Sequence, residues 1–130
     1  LEDNDFVVQQ DDPKGGICAG FFACRANEQT RNLWQTIKQM VDENPRKHDQ
    51  DYLNELLRNN KIDGLRWSYL PSSFFGGGTL LETPDLWTPG KTLPVPKDIV
   101  MHHANYTVGV ENKIKQLAYV KSVVEAQQHA

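Results

Sequence analysis

The sequence lacks the features that would assign it to several common classes of protein. Its 130 residues contain no apolar run of membrane-spanning length and no signal peptide. The formal net charge is only -3, so no excess of one sign draws the chain to nucleic acid or to an anionic membrane. Because 38% of the residues are hydrophobic and 24% are charged, we expect a small folded domain with one core.

The chain also has few cysteines, namely Cys18 and Cys24. Both lie in "ICAGFFAC", which predicts one strand. Their Cα atoms would then be about 20 Å apart, whereas a disulfide needs roughly 4–7 Å. We therefore expect two free, buried thiols, which favour a reducing, cytoplasmic compartment. The first residue is Leu1 rather than methionine, which suggests a processed protein, an excised domain or the second half of a longer chain.

The alternation of apolar runs with helical periodicity predicts a single α/β layered domain over residues 1–130. We expect a first helix capped by Asn27 and closed by Pro45, a second that begins near Asp49, and a third from Gly109 onward. The segment between the third and fourth predicted strands has no such periodicity, and we expect it to form a long loop. The predicted strands span residues 5–10, 17–24, 65–70 and 98–103, and the predicted loop spans residues 71–96.

Apolar patterning also predicts which surfaces are buried. The strand at residues 17–24 is apolar almost throughout, as expected of a central strand that is covered on both faces. Each helix repeats apolar residues at the helical spacing, so one side of each helix should face the core. These stripes are Leu33, Trp34, Ile37, Met40 and Val41 in the first helix, Tyr52, Leu53, Leu56 and Leu57 in the second, and Val110, Ile114, Leu117, Val120 and Val124 in the third.

The stretch "MHHANYTVGVENK" at residues 101–113 contains two histidines at the end of a predicted strand. Adjacent strand residues face opposite ways, and we expect His103 rather than His102 to point into a site. Imidazole is a good ligand for a divalent metal, and open α/β sheets bind ligands at their strand ends. Gly109 opens a helix whose free N–H groups favour a phosphate, and Lys113 adds a positive charge. Two ordinary loop histidines and a solvated lysine would fit the same residues.

A second candidate stretch is "HDQDYLN" at residues 48–54. Asp49 and Asp51 are both explained structurally, as a helix cap and as an acidic residue near a helix start. The pair Asp49 and Gln50 also offers an acceptor and an amide, the groups needed to grip sugar hydroxyls. In the strand sequence "CAGFF", Gly20 would allow a small substrate to lie against the backbone.

Together, "ICAGFFACR", "DQDYLN" and "HHANYTVGVENK" resemble, in this order and spacing, the C-terminal half of nucleotide-diphospho-sugar transferases. This is the family of plant cell-wall xylosyl- and galactosyltransferases, which is related to glycogenin-like enzymes. The resemblance extends from Asp5 to about Val124. It implies a GT-A fold, a Rossmann-like α/β sandwich in which a divalent metal, Mn²⁺ or Mg²⁺, bridges the enzyme and the donor diphosphate.

The resemblance also implies roles for individual residues. Asp49 and Gln50 would be catalytic, next to the reacting carbon of the transferred sugar. His103 would be a metal ligand. The substrate-binding residues would be Ala19, Gly20, Asn105, Gly109 and Lys113.

The chain departs from the family pattern at two points. Cys18 stands where related enzymes often carry an asparagine that contacts the sugar. The family's DxD metal motif ends an apolar strand, but in "EDND" no strand precedes Asp3 and Asp5. We interpret this match as coincidental, and we expect the nucleotide-binding half to lie outside this chain.

The leading hypothesis is a metal-dependent glycosyltransferase that moves a sugar, with retention, from a nucleotide-diphosphate sugar to a hydroxyl of a carbohydrate or glycoprotein acceptor. The alternative is a non-catalytic carbohydrate- or nucleotide-binding domain on the same scaffold. We expect no nucleic-acid partner and no membrane segment.

The loop at residues 71–96 carries three consecutive glycines and several aromatic residues. We expect it to line the acceptor side and to close over the donor, with Phe75 and Trp87 as platforms for a sugar ring. On this hypothesis, a β-branched residue at Gly77 would leave the melting temperature nearly unchanged. A plain surface excursion pinned to the core by Phe74 is equally compatible with the pattern.

Overall fold

A computed structural model of the chain describes residues 1–77 and 86–129. The chain forms two compact units, and the single-domain expectation stays a prediction. Unit 1 comprises Leu1–Gln9 and Ile17–Tyr69, and unit 2 comprises Gln10–Gly16 and Leu70–Ala130.

The described elements confirm that the protein is of the mixed α/β class. Strands and helices follow one another along the chain nearly as the periodicity predicts, with one strand added inside the predicted loop. The elements are β1 (Phe6–Gln10), β2 (Ile17–Cys24), α1 (Glu28–Glu43), α2 (Asp49–Arg58), β3 (Trp67–Tyr69), β4 (Phe74–Gly76), β5 (Met101–His103) and α3 (Val110–Gln128).

The two helices of unit 1 confirm the predicted stripes and the predicted cap. Asn27 is the N-cap of α1, and its side chain accepts a hydrogen bond from the Thr30 N–H at 3.0 Å. The Thr30 hydroxyl accepts in return from the Asn27 N–H at 3.1 Å, which completes a capping box. The apolar sides of α1 and α2 pack against β1 and β2. The buried cluster of unit 1 consists of Phe6, Val8, Ile17, Leu33, Ile37, Tyr52, Leu53, Leu56 and Leu57.

The position of β2 corrects the expectation of a central strand. The sheet order is β2-β1-β3, with β1 and β3 parallel, so β2 is an edge strand of the described sheet. Its first residues are buried, whereas Gly20, Phe22 and Cys24 are exposed. An apolar run does not show whether both faces of the strand are covered. In β2 only Ile17 and Cys18 are buried.

The two cysteines are free, as expected, because neither forms a disulfide. Cys18 is buried but Cys24 is exposed, so the expectation of two buried thiols is wrong for Cys24. Cys24 is exposed because it lies in the uncovered second half of β2.

Unit 2 contains a strand that the sequence pattern did not predict. β4 lies within the predicted loop and pairs in parallel with β5, so that Phe75 is opposite His102 and Gly76 is opposite His103. Phe75 and Trp87 are buried, at 1% and 4% exposure, in a cluster with Leu93 and Val120. The two aromatic residues therefore pack in the core of unit 2 and are not exposed platforms for a sugar ring.

Gly77 follows β4, and its lack of a side chain is required by packing. A Cβ atom at this position would lie 2.6 Å from the Asn105 carbonyl oxygen and 3.2 Å from its side-chain oxygen. A β-branched residue at Gly77 would therefore displace the backbone at Asn105, and from the structure we expect it to lower the melting temperature, contrary to the prediction from the sequence. Residues 78–85 of the predicted loop lie outside the described residues.

The buried side of helix α3 differs from the side that the apolar stripe predicts. Gln116 and Val120 are its buried residues, whereas Val110, Ile114 and Leu117 are 74%, 60% and 46% exposed. The buried side of α3 includes Gln116, which contacts His102 and the Thr107 hydroxyl inside unit 2, and the predicted stripe lies partly outside the core. None of the described helices is long and apolar enough to cross a membrane.

Candidate functional site

The residues predicted to form a site are divided between the two units. The first group surrounds the start of β2 and the start of α2. The second group follows the end of β5. Unit 1 holds Ala19, Gly20, Asp49 and Gln50, and unit 2 holds His103, Asn105, Gly109 and Lys113.

In unit 1, amide side chains of α2 bind the outer edge of β2. The Ala19 N–H donates to Gln50 Oε1 at 3.0 Å, and the Ile17 N–H donates to Asn54 Oδ1 at 2.8 Å. Asn54 Nδ2 donates in return to the Ile17 carbonyl at 3.0 Å. These amides take the place of a neighbouring strand along the first half of β2. Gln50 therefore has a structural contact, and its contact with a sugar stays a prediction.

The start of α2 differs slightly from the predicted cap. The N-cap residue is His48, and Asp49 is the first residue of the helix. The Asp49 carboxylate accepts a hydrogen bond from the Gln50 N–H at 2.8 Å, and Asp51 accepts from the His48 N–H at 2.9 Å. Both carboxylates lie at the positive end of the helix dipole. Asp49 is exposed, as the proposed contact with a sugar requires.

In unit 2, His102 is engaged by protein groups through both of its ring nitrogens. Nδ1 lies 2.9 Å from the Phe75 carbonyl oxygen, and Nε2 lies 2.8 Å from Gln116 Oε1. Burial lowers the pKa of His102, although the hydrogen bonds to Gln116 and Phe75 act in the opposite direction. The contacts give His102 a structural role between β5, β4 and α3.

The next residue, His103, is half-buried. Burial lowers the pKa of the His103 imidazole; the Asp11 carboxylate acts to raise it and the Lys113 ammonium to lower it. A neutral imidazole is the form that binds a metal ion.

The loop that follows His103 is fixed by hydrogen bonds and contains a strained residue. The Asn105 N–H donates to the His103 carbonyl at 2.9 Å, and the Trp87 N–H donates to the Tyr106 carbonyl at 2.6 Å. Tyr106 has φ 52, in the left-handed region that bulky residues seldom adopt. Such strained conformations cluster at functional sites, where the surrounding contacts hold them.

Gly109 ends this loop and is the N-cap of α3, as predicted. Its φ of 87 suits glycine, and nothing lies within 4 Å of the position that a Cβ would occupy. The Lys113 N–H donates to the Gly109 carbonyl at 3.1 Å, so Lys113 belongs to the first turn of the helix. The backbone at Gly109 is exposed, and an anion could approach the end of α3 there.

Asp5 belongs to the "EDND" stretch and has a structural role in unit 1. It is 5% exposed. Its carboxylate accepts from the Arg66 N–H at 3.0 Å and from Asn27 Nδ2 at 2.9 Å. These contacts support the interpretation that the DxD match in this stretch is coincidental.

Three polar residues of unit 2 were missed in the sequence. Gln116 is fully buried and donates to the Thr107 hydroxyl at 2.5 Å, which in turn donates to the Asn105 carbonyl at 3.0 Å. The Asp11 carboxylate accepts hydrogen bonds from Asn105 Nδ2 at 3.0 Å and from the Tyr106 hydroxyl at 3.3 Å, both in the loop that follows His103. The signal that could have found Asp11 is its place directly after a buried strand, where polar side chains often face a ligand.

The donor atoms near His103 are suited to part of a metal site. Among the described residues, no group of three or more His, Cys, Asp or Glu side chains could hold a metal ion. The His103 imidazole offers one nitrogen ligand, and divalent ions such as Mn²⁺ and Mg²⁺ commonly complete their shell with phosphate oxygens and water. The arrangement could therefore support a metal–diphosphate complex but not a metal cage.

Comparisons with known proteins agree with the resemblance carried by the motifs. The chain is 30% identical over 112 residues to "Uncharacterized protein At4g15970" of Arabidopsis thaliana, an alignment that covers 84% of the chain. It spans only 27% of the length of that relative. No solved structure matches the chain. The nucleotide-diphospho-sugar transferase family matches residues 1–117, and the chain belongs to that family.

Proposed function

We propose that this chain is part of a metal-dependent, retaining glycosyltransferase of the GT-A type that transfers a sugar from a nucleotide-diphosphate donor to a carbohydrate or glycoprotein acceptor. Membership of the family implies nucleotide-sugar transferase activity in general. Metal dependence, retention and the class of acceptor are the parts that we add.

One observation carries this proposal: Gly109 caps α3, and Lys113 lies in the first turn of that helix, a few residues after His103. A diphosphate has anionic oxygens that an ammonium group and a helix N-terminus attract. An imidazole beside these groups suits a divalent ion bound to the same diphosphate. Unit 2 thus offers ligand groups for both partners of a metal–diphosphate complex.

His103 would hold Mn²⁺ or Mg²⁺, with the remaining ligands supplied by diphosphate oxygens, water and carboxylates. When bound, such an ion offsets the charge that develops on the leaving diphosphate. Lys113 and the free N–H groups of α3 add to this stabilisation, because they are already oriented before the reaction. Asp49 and Gln50 would contact the transferred sugar near its reacting carbon.

The test is to compare His103→Ala with His102→Ala in the polypeptide that contains this chain. We expect His103→Ala to abolish Mn²⁺-dependent transfer from a nucleotide-diphosphate sugar at temperatures at which the variant is folded. His102→Ala should lower the melting temperature, because it removes the contacts with Phe75 and Gln116, and should retain transfer below that temperature. Transfer is measured as release of nucleoside diphosphate in the presence of acceptor.

Two other outcomes would change the conclusion. Equal loss of transfer in both variants, with equal stability, would contradict the assignment of His103. Binding of a nucleoside diphosphate without any transfer would favour the non-catalytic binding domain instead.

A further inference from the structure

Two amide side chains of α2 bind β2 at alternate residues of the strand. Ala19 N–H donates to Gln50 Oε1 at 3.0 Å, and Ile17 N–H donates to Asn54 Oδ1 at 2.8 Å. Four residues span about 6 Å along a helix, and two residues span about 6.7 Å along a strand. Because these two spacings match, one side of α2 can bind two successive outward-facing positions of β2. We call Ile17, Ala19, Gln50 and Asn54 the amide clasp.

Asn54 makes three hydrogen bonds within the amide clasp. Besides accepting from the Ile17 N–H, it donates from Nδ2 to the Ile17 carbonyl at 3.0 Å and to the Gln50 carbonyl at 2.8 Å. Asn54 thus exchanges both backbone hydrogen bonds with Ile17, as a residue of a neighbouring strand would. The two Nδ2 donors and the oxygen are all used, so the orientation of this amide is fixed.

The amide clasp joins the two segments that carry the candidate sugar-binding residues of unit 1. The family resemblance implies contacts with the transferred sugar for four residues, which we call the sugar site: Ala19, Gly20, Asp49 and Gln50. Gln50 belongs to both groups, because its side-chain oxygen accepts from the Ala19 N–H. The orientation of the Gln50 side chain is therefore coupled to the position of β2. Asn54 has no assigned role toward the sugar, although it is bonded to Gln50 and to β2.

We propose that Asn54 is a positioning residue of the sugar site. It fixes the start of α2, with Asp49 and Gln50, against the adjoining part of β2. This inference rests on the proposed function, in which Asp49 and Gln50 contact the transferred sugar. Orientation of reacting groups is sensitive to small shifts, since a misplacement of 1 Å can cost about 100-fold in rate. Asn54 acts through these residues and does not itself touch the sugar.

The opposite side of α2 is attached to the core without the amide clasp. Its buried residues are Tyr52, Leu53, Leu56 and Leu57. Apolar packing of this kind is the main attachment of a helix to its domain. Loss of the Asn54 amide should therefore displace the start of α2 relative to β2 and leave unit 1 folded.

The experiment compares Asn54→Ala with Asn59→Ala in the polypeptide that contains this chain. Asn59 is the matched control, because its exposed side chain donates to the Glu55 carbonyl of the same helix at 2.8 Å. We expect Asn54→Ala to lower the kcat of sugar transfer by about 10-fold or more at temperatures at which it is folded. The KM for the donor should change less, because the proposed diphosphate groups lie in unit 2. Asn59→Ala should transfer like the unsubstituted polypeptide.

Hydrogen exchange of single backbone amides separates positioning from a local structural contact. Asn54 binds the Ile17 N–H directly, whereas the Ala19 N–H is bound by Gln50. We expect Asn54→Ala to speed exchange at both amides, because Gln50 also moves. A contact that is merely local would change Ile17 alone. If the alanine variant does not fold, Asn54→Asp replaces it, since the aspartate keeps the acceptor for Ile17 but lacks the Nδ2 donors.

The outcomes distinguish this inference from the proposed function. Unchanged exchange at Ala19, or an unchanged kcat, would overturn the role of Asn54 and leave the proposed function standing. If the unsubstituted polypeptide transfers no sugar from a nucleotide-diphosphate donor, the proposed function fails and the positioning role fails with it. Faster exchange at Ala19 together with the lower kcat would support the inference.

Discussion

In unit 1 the buried cluster consists of apolar side chains from two strands and two helices, whereas in unit 2 a smaller apolar cluster lies beside hydrogen-bonded polar groups. Among the described residues, nine side chains form the first cluster and four form the second. Gln116 is completely buried in unit 2 and contacts both His102 and the Thr107 hydroxyl. Among the described residues, unit 1 therefore has the larger apolar cluster, and we infer that apolar packing contributes more to its stability than to that of unit 2.

This difference bears on the proposed function, because His103, the proposed metal ligand, is in unit 2. The loop after His103 is shaped by Asp11, Trp87 and Thr107 through hydrogen bonds. Hydrogen bonds fix directions, whereas apolar contacts mainly fix volumes. We infer that the placement of the His103 loop depends on a few polar residues, each of which can be tested singly.

The largest effect is expected in unit 1, from Leu53→Ala. Leu53 is 0% exposed within the apolar cluster, so the substitution should leave a cavity and lower the free energy of unfolding by about 2–5 kcal/mol. Leu117→Ala is the matched control, because Leu117 was also predicted to be buried but is 46% exposed. We expect the control to change the free energy by no more than about 0.5 kcal/mol. Urea denaturation measures both.

Equal losses from Leu53→Ala and Leu117→Ala would contradict the observed orientation of α3. They would show that the predicted stripe of α3 is buried after all, and that unit 2 depends on apolar packing as much as unit 1 does.

An intermediate effect is expected in unit 2, from Gln116→Leu. This substitution makes α3 more apolar, but it leaves His102 Nε2 and the Thr107 hydroxyl without their Gln116 partner. We expect the free energy of unfolding to fall by about 1–3 kcal/mol, the cost of a buried polar group that loses its hydrogen bond. Gln128→Leu, at an exposed position of the same helix, should have little effect. A higher melting temperature for Gln116→Leu would show that the polar contacts do not stabilise unit 2.

Much of unit 1 could be predicted from the sequence because its signals are local. The stripes of α1 and α2 follow from helical periodicity, and Asn27 followed by an apolar-periodic segment marks the start of a helix. The edge position of β2 could not be predicted in the same way. Amide side chains such as Gln50 and Asn54 look like solvent-facing residues of α2, yet they bind the β2 backbone.

Unit 2 was harder to predict because its determinants are distant in sequence or too short to show a period. β4 has three residues, fewer than an alternating pattern needs to be recognised. The contact between Asp11 and Asn105 joins residues 94 positions apart. The family motif identified His103, Gly109 and Lys113 as candidates, and the capping position of Gly109 is confirmed. Their roles toward a substrate stay predictions.

The smallest effect on stability is expected from a substitution of Asp5, a buried polar residue of unit 1. This substitution tests whether polar contacts also stabilise unit 1. The Arg66 N–H bound to its carboxylate lowers the pKa of Asp5, with help from Asn27 and against the effect of burial. Because the pKa in the folded state lies below the value of 3.8 for an ordinary aspartate, the ionised carboxylate stabilises the fold above that pH. This stabilisation is lost as the pH falls through the lower, folded-state pKa.

We therefore expect Asp5→Asn to have a lower melting temperature than the unsubstituted chain near neutral pH, because an asparagine amide cannot accept from both donors through its NH₂ group. The difference should shrink when the pH is lowered below 3.8 and the aspartate itself becomes protonated. Melting curves of both chains between about pH 3 and 7 measure this, since other carboxylates titrate in both and cancel in the difference. Asp63→Asn, at an exposed position of unit 1, is the control. A difference that stays constant across the whole range would mean that the ionised carboxylate does not stabilise unit 1, and that unit 1 relies on its apolar cluster even more than the contrast with unit 2 implies.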